Sequence, residues 1–305
     1  MPIKHLEHKD IDKIAWNKCI AAAYNGNVYV WSWYLDIVSP NWNAIVLDNY
    51  EAVMPLTWNK KYRVTYIHQP FFTQQLGIFS KHSVTKTMLN KFLSNIPSQY
   101  QYAEISMNVN INKEYFDIPI AEGITSHLDL IRNYTELRKN YNTNTIRNIK
   151  KANKHDLHFQ FLDKPCQIID LFRSSKGKEL KELKTTHYQK LEALMNYGKD
   201  FKLAMFPGVL DEKGDLCAGG FFMFSHNKLV FIFGASNKKG KENGAMFLLI
   251  DNIIKQHSSK TLTIDFEGSM VPGVLRFYQG FGAKKLVYPR IKINNLPSLA
   301  KIFKK

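Results

Sequence analysis

Cysteine is scarce in this chain: Cys19, Cys166 and Cys217 are the only three among 305 residues, widely spaced and odd in number. This argues against a disulfide framework or a thiolate zinc site and fits reduced thiols in a cytoplasmic protein. Long apolar runs are missing too. A membrane span needs roughly 18 consecutive apolar residues, and FFMF and LVFIF are long enough only for strands. The opening MPIKHLEHKDIDKIAWN is charged and has no apolar signal core, so secretion is not expected. The GxSxG elbow, the HExxH zinc motif and the dinucleotide glycine fingerprint are all absent. GASNKKGKE (Gly234–Glu242) resembles a P-loop but has one residue too many between its glycines. Glu242 also stands where a magnesium-binding Ser or Thr is required. His155 and His158 lack a further ligand cluster, so no metal site is expected.

Acidic residues are few in the second part of the chain. Residues 1–125 carry 11 Lys and Arg against 10 Asp and Glu, whereas residues 126–305 carry 31 against 16. A net charge of +16 with this asymmetry fits a polyanionic partner: RNA, an anionic membrane surface or a phosphate-bearing cofactor. The alternative is a lysine-rich solvated surface, since the lysines are scattered rather than massed. Apolar content of 45% and charged content of 22% fit a globular protein. The length suits two domains of about 150 residues, or one large one.

The pattern is mixed α/β throughout. A helix over Ile11–Ala23 precedes candidate strands NAIVLDN, EAVMPLTW and RVTYIHQP, the first two meeting at a turn at Asn49–Tyr50. A helix near Val84–Leu93 and the strand AEISMNV follow, and FDIPIAEGITS, with Pro119 and Gly123, marks a boundary. Beyond it come the strand HLDLI and the amphipathic stretch YTELRKNYNTNTIRNIKKANKH. Helices are expected within Gln167–Lys184 and His187–Tyr197, and strands at FKLAMF, LCAGGFFMF and KLVFIFGA. Phe247, Leu248, Ile250, Ile253 and Ile254 recur at helical spacing over Gly244–His257. The strand LTIDF, a short helix near Gly273–Tyr278 and a strand pair around LVYPRIKI complete the order. Trp31 and Trp33 read as core of the first domain.

Two stretches carry chemistry. Ser236–Ile254 passes from a strand through a basic loop into a helix, and a helix N-terminus can hold a phosphate or carboxylate. Lys238, Lys239 and Lys241 would add charge, and Gly244 would let a ligand approach the backbone. An ordinary basic loop before a buried helix is the alternative. The second stretch, DFEGSMVPGVLRFYQGFGAKKLVYP, sets Asp265 and Glu267 beside Gly268 and brings Tyr278 close behind.

The order of strand, glycine-containing loop, helix, strand and short helix resembles the GNAT acyltransferases. There the loop cradles an acyl-CoA pyrophosphate through a pattern near R/Q-x-x-G-x-G/A, to which Lys241-Glu242-Asn243-Gly244-Ala245-Met246 is similar. A closer resemblance is to the FemABX-like branch, in which two GNAT-type domains share one chain. Its T-x-x-L-D-L strand is matched by Thr125-Ser126-His127-Leu128-Asp129-Leu130, and its R-x-I-x-K-A-like helix by Arg147-Asn148-Ile149-Lys150-Lys151-Ala152. Its D-F-x-G turn is matched by Asp265-Phe266-Glu267-Gly268, and its F-x-x-x-F-G-like segment by Phe277 to Gly282. Peptidoglycan-bridge enzymes of the branch often carry Lys where this chain has Tyr278. Tyr278 with Gly282 instead resembles the Y-x-x-x-G of simple GNAT enzymes, whose tyrosine can protonate a departing thiolate.

The resemblance implies tandem GNAT-like domains over 1–124 and 125–305, each a mixed central sheet flanked by helices. It implies N-acyl or aminoacyl transfer to an amine acceptor, in the context of cell-envelope synthesis. Acyl-CoA or aminoacyl-tRNA would serve as donor, with no tightly bound cofactor. Asp265 or Glu267 would orient or deprotonate the amine, Tyr278 would donate a proton, and main-chain N–H groups would polarise the carbonyl. Each residue has a bland counterpart: Asp265 anchoring the turn, Tyr278 as a packed aromatic, Phe277 and Phe281 as core. Arg147 and Lys150 form a basic helix face with Lys151, solvated or touching phosphate, and His187 and Tyr188 border a substrate cleft. The competing classes are a binding protein that keeps the fold without a donor site, and a nucleic-acid binder.

Overall fold

The computed structural model describes residues 2–296, which fall into two compact units. The first unit runs up to Gly123 and also takes residues 287–296. Its elements are β1 (Ile3–Leu6), α1 (Lys13–Ala22), α2 (Ser32–Val38), β2 (Asn43–Leu47), β3 (Ala52–Leu56), β4 (Trp58–Lys61), β5 (Val64–Ile67), β6 (Phe79–Ser80), α3 (Lys86–Ser94) and β7 (Tyr100–Ser106). β1, β2, β3 and β6 form one sheet in that order. The turn at Asn49–Tyr50 joins β2 to β3 as expected, with Asp48 and Tyr50 both at positive φ. The single strand expected over EAVMPLTW is two, β3 and β4, broken at Thr57, whose hydroxyl donates to His68 O at 2.6 Å. Trp31 and Trp33 flank the start of α2, and Trp16 and Trp42, both fully buried, pack with centroids 4.6 Å apart.

β8 (Ile120–Asp129) carries the chain across the expected boundary, from the first unit to the second after Gly123. The second unit, Ile124–Leu286, continues with α4 (Tyr134–Arg138), α5 (Thr143–Lys154), β9 (His158–Phe161), α6 (Cys166–Ser174), α7 (Thr185–Asp200), β10 (Ala204–Met205), β11 (Pro207–Leu210), β12 (Leu216–Ser225), β13 (Lys228–Ser236), α8 (Lys238–Asn243), α9 (Ala245–His257), β14 (Thr263–Asp265) and α10 (Pro272–Gln279). Its strands lie in the order β8, β14, β13, β12, β11, β9, with β10 paired to β12. The β13–β14 pair is parallel and the others are antiparallel.

α9 forms because its apolar residues fall three and four apart, so that Leu249, Ile250, Ile253 and Ile254 are all fully buried. Burying each such side chain contributes about 1.5–3 kcal/mol. α5 packs against this core through Thr145, Ile149 and Ala152, leaving Arg147, Lys150 and Lys151 exposed. Asn142 caps α5 by accepting from Thr145 N–H at 2.8 Å.

Two expectations change at the C-terminus. The strand pair around LVYPRIKI is one strand, β15 (Lys284–Asn294), whose Arg290–Asn294 pairs antiparallel with β7. That ladder draws residues 287–296 into the first unit, rather than leaving them with 125–286. Residues 297–305 of that expected domain lie outside the described residues.

Candidate functional site

The parallel pairing of β13 with β14 stops at Val230 opposite Asp265. Beyond this point β13 runs on to Ser236, while the segment after β14 turns away at Glu267–Gly268. β13 also bulges here: Phe221 and Phe222 of β12 face Phe233 and Phe231, leaving Ile232 as the extra residue. A cleft of about 390 Å³ opens in this region, lined by Phe231, Ile232 and Phe233 of β13, Glu267 and Gly268 of the turn, and Phe277 and Tyr278 of α10. A second cleft of about 360 Å³ shares Phe172, Gly234, Met246 and Phe277 with the first and extends to Lys176, Lys241 and Gly244. Each has the size of a small-molecule site.

Glu267 is the singular residue of the first cleft. It is 9% exposed, and its Oε1 has no hydrogen-bond partner among the described residues. Burial raises its carboxyl well above the ordinary range. Its φ of 51° is left-handed, a conformation that costs a non-glycine residue about 1–2 kcal/mol. Gly268 follows at φ 52°, completing a turn that ordinary helix or strand geometry cannot make.

Tyr278 stacks on Phe266, with centroids 4.5 Å apart and planes 15° from parallel. Its hydroxyl lies 3.9 Å from where a side chain on Gly268 would begin. Burial, then Glu267 and Asp265, push its pKa upward, so the phenol stays protonated at neutral pH. Tyr278 is therefore both packed aromatic and cleft residue. Phe281 is wholly core, while Phe277 is part-buried and lines the cleft.

Asp265 is 4% exposed and lies behind the turn rather than among the residues lining the cleft. Its Oδ1 accepts from Thr125 Oγ1 at 2.6 Å and from Glu267 N–H at 3.2 Å. Its Oδ2 sits 3.0 Å from His127 Nε2, in ion-pair range though the ring N–H is not aligned for a hydrogen bond. Burial pushes its carboxyl up, but His127, Lys228 and Thr125 outweigh burial and the pKa falls below the ordinary value. Asp265 thus anchors the turn, and Glu267 is the carboxyl that faces the cleft.

The basic junction is more ordered than a loop. Residues 238–243 form α8, with Asn237 Oδ1 accepting from Gly240 N–H at 2.7 Å. Lys239 is engaged elsewhere, 2.6 Å from Asp211 and 3.0 Å from Glu212. Lys238 is exposed and lines neither cleft. Lys241 lines the second cleft and makes no ion pair among the described residues. Gly244 lines it too, at φ 77°, but its N–H already bonds Gly240 O. Ala245 is fully buried in the core. A phosphate in this cleft would therefore meet Lys241 and the start of α9, which no side chain caps.

Arg147 and Lys150 line neither cleft, and Arg147 bonds Asn144 on its own helix at 2.9 Å. His187 Nδ1 accepts from Lys184 N–H at 3.0 Å, capping α7. Burial, then Lys190 and Lys184, lower its pKa. Tyr188 borders a different pocket of about 470 Å³ together with Arg173, Lys181 and Lys184. The phenylalanines of the cleft wall and the roles of Thr125 and His127 were not read from the sequence. The run LVFIF hinted at Phe231 and Phe233 only as part of a strand. Among the described residues no helix is long and apolar enough to cross a membrane, and no His, Cys, Asp and Glu group could hold a metal ion.

The chain is a mixed α/β protein whose fold is similar to the tandem GNAT-like fold of FemABX-type proteins. The crystal structure of FemX is similar over the full length of both chains, with a TM-score of 0.70 at 12% identity. A conserved protein of unknown function from Bacteroides thetaiotaomicron is similar over 96% of this chain and all of its own, with a TM-score of 0.59 at 11% identity. The C-terminal domain of a putative lysylphosphatidylglycerol synthetase from Agrobacterium fabrum is similar over 88% of this chain and 87% of its own, with a TM-score of 0.55 at 9% identity. No family model and no curated protein matches the sequence. At these identities the likeness is one of fold: an acyl- or aminoacyltransferase-like architecture.

Proposed function

We propose that the protein transfers an acyl or aminoacyl group from a thioester or an aminoacyl-tRNA ester to an amine, with the reaction in the cleft between β13 and α10. One observation carries this reading. Glu267 is a nine-tenths-buried carboxyl with an unpartnered oxygen, set in an otherwise apolar cleft beside the Tyr278 phenol. A carboxyl raised by burial is a better base, closer in proton affinity to the amine it serves. It takes the proton of the acceptor ammonium, and the freed nitrogen attacks the carbonyl carbon. The C–S or C–O bond then breaks as Tyr278 gives its proton to the leaving sulfur or oxygen. The phenolate is returned to phenol by the surplus proton of the attacking nitrogen, directly or through water, and Glu267 releases the proton it took to solvent. Main-chain N–H groups near the Ile232 bulge would support the developing oxyanion.

An anionic donor would lie in the second cleft against Lys241. The engagement of Lys239 by Asp211 and Glu212 favours the second reading, a binding protein of the same fold without a working donor site. Thermal shifts with CoA thioesters, charged tRNA and an unrelated polyanion separate the two, because ligand binding to the native state raises the melting temperature. The transferase reading expects one donor class to stabilise the protein and to be consumed when an amine is supplied. Tyr278→Phe should then slow transfer about 10²–10⁴-fold while leaving donor binding intact. Equal stabilisation by every polyanion, or wild-type turnover in Tyr278→Phe, would refute the assignment.

A further inference from the structure

The turn that presents Glu267 is held from one side, by β8. β8 runs antiparallel to β14 with Leu128 opposite Ile264 and His127 opposite Asp265. Leu128 and Ile264 belong to the core, so in a pleated strand Thr125, His127 and Asp265 share the opposite face. There Thr125 Oγ1 donates to Asp265 Oδ1, and the same oxygen receives the Glu267 N–H. One residue on, Ser126 Oγ lies 2.9 Å from Ser269 Oγ, and Ser269 Oγ donates to Glu267 O at 2.7 Å. Phe266 N–H also donates to Ser126 O at 2.9 Å. Thr125 and Ser126 are fully buried and Ser269 is 1% exposed.

The result is a division of labour within one residue. Both backbone polar groups of Glu267 are pinned, whereas its Oε1 is left without a partner. Left to itself, a glutamate relaxes out of the left-handed region, and that rotation would swing its carboxyl away from Tyr278. Buried hydroxyls in a strand are costly unless hydrogen-bonded, and here their bonds all lead to this turn.

We propose that Thr125, Ser126 and His127 are positioning residues: through Asp265 and Ser269 they lock the Glu267 backbone so that its carboxyl faces the cleft. This rests on Glu267 being the acid–base group proposed above. The titratable and charged groups around Glu267 are Asp265 on β14 and Tyr278 on α10, with His127 on β8 and Lys228 on β13 acting on Asp265.

The test is the titration of Glu267 itself, followed by ¹³C NMR of glutamate side-chain carboxyls, with Glu267→Gln identifying its signal. Ser126→Ala and Thr125→Val should shift the midpoint down, toward that of exposed glutamates, as the turn loosens and water reaches the carboxyl. Thr125→Ser, which keeps the hydroxyl, should restore the wild-type midpoint. His127→Asn is the strictest variant. Loss of an imidazole able to carry positive charge would raise the midpoint by direct electrostatics, whereas release of the turn lowers it. Ser126→Ala removes a single oxygen, so the test does not depend on tolerance of the larger changes. A midpoint unmoved in Ser126→Ala and Thr125→Val, or raised in His127→Asn, overturns the proposal. The measurement needs neither donor nor acceptor, so a failure to find transfer activity would leave its outcome standing.

Discussion

Replacing Glu267 by Gln should make the protein more stable at neutral and alkaline pH, a reversal of the usual effect of altering a buried polar group. In the unfolded chain a glutamate titrates near about 4.3, whereas burial raises the folded carboxyl well above that. Between these two values the native state holds a proton that the unfolded state has released. Stability therefore falls as pH rises through this window, by at most about 1.4 kcal/mol per pH unit. Below the unfolded pKa the penalty is absent, and above the folded pKa it is complete. For a unit of 150–250 residues that slope corresponds to at most about 3–6 °C of melting temperature per pH unit. Gln cannot ionise. Whatever constant cost its amide incurs against the apolar walls, the stability difference between the two proteins should move in favour of Gln as pH rises from the unfolded to the folded pKa, and level off above it. Paired thermal melts of the wild type and Glu267→Gln from pH 4 to pH 9 read this directly. A difference that stays flat across that range would refute a buried, proton-retaining Glu267 and the acid–base role built upon it.

Lysines two apart in α8 should behave oppositely. Lys239→Ala leaves the buried carboxylate of Asp211 without its cation and should lower the melting temperature, whereas Lys241→Ala should leave stability unchanged and weaken binding of an anionic donor by calorimetry. Gly244→Ala should destabilise by about 1–3 kcal/mol in urea titrations, because its Cβ would come within 2.6 Å of Asn148 O at a φ of 77°.

What could be read from the sequence was what depends on local pattern. The helical spacing of Phe247 to Ile254 yields α9, and Asp265-Phe266-Glu267-Gly268 forms a turn at a strand end with Tyr278 one short helix away. What escaped was set by partners distant in the chain. Lys239 counts as a phosphate candidate until Asp211, 28 positions earlier, is seen to hold it. Asp265 and Glu267 look interchangeable until Thr125, 140 positions from Asp265, takes one of them out of the cleft. Gly240 lowers the helix propensity of α8, and Asn237 at its cap offsets this by accepting the Gly240 N–H. Phe172 reaches both clefts from α6, which the sequence offers only as a helix within Gln167–Lys184, with nothing to aim it at a cleft.

The return of β15 to β7 has a consequence for how the chain is made. Ile124–Leu286 is a continuous stretch and can close once it has left the ribosome. The first unit, although begun earlier, must wait: β7 ends at Ser106, and the strand that covers it starts its pairing at Arg290. The later-made unit is thus the first that can be completed. A fragment ending near residue 124 would carry β7 with a bare hydrogen-bonding edge, an invitation to pair with other copies of itself.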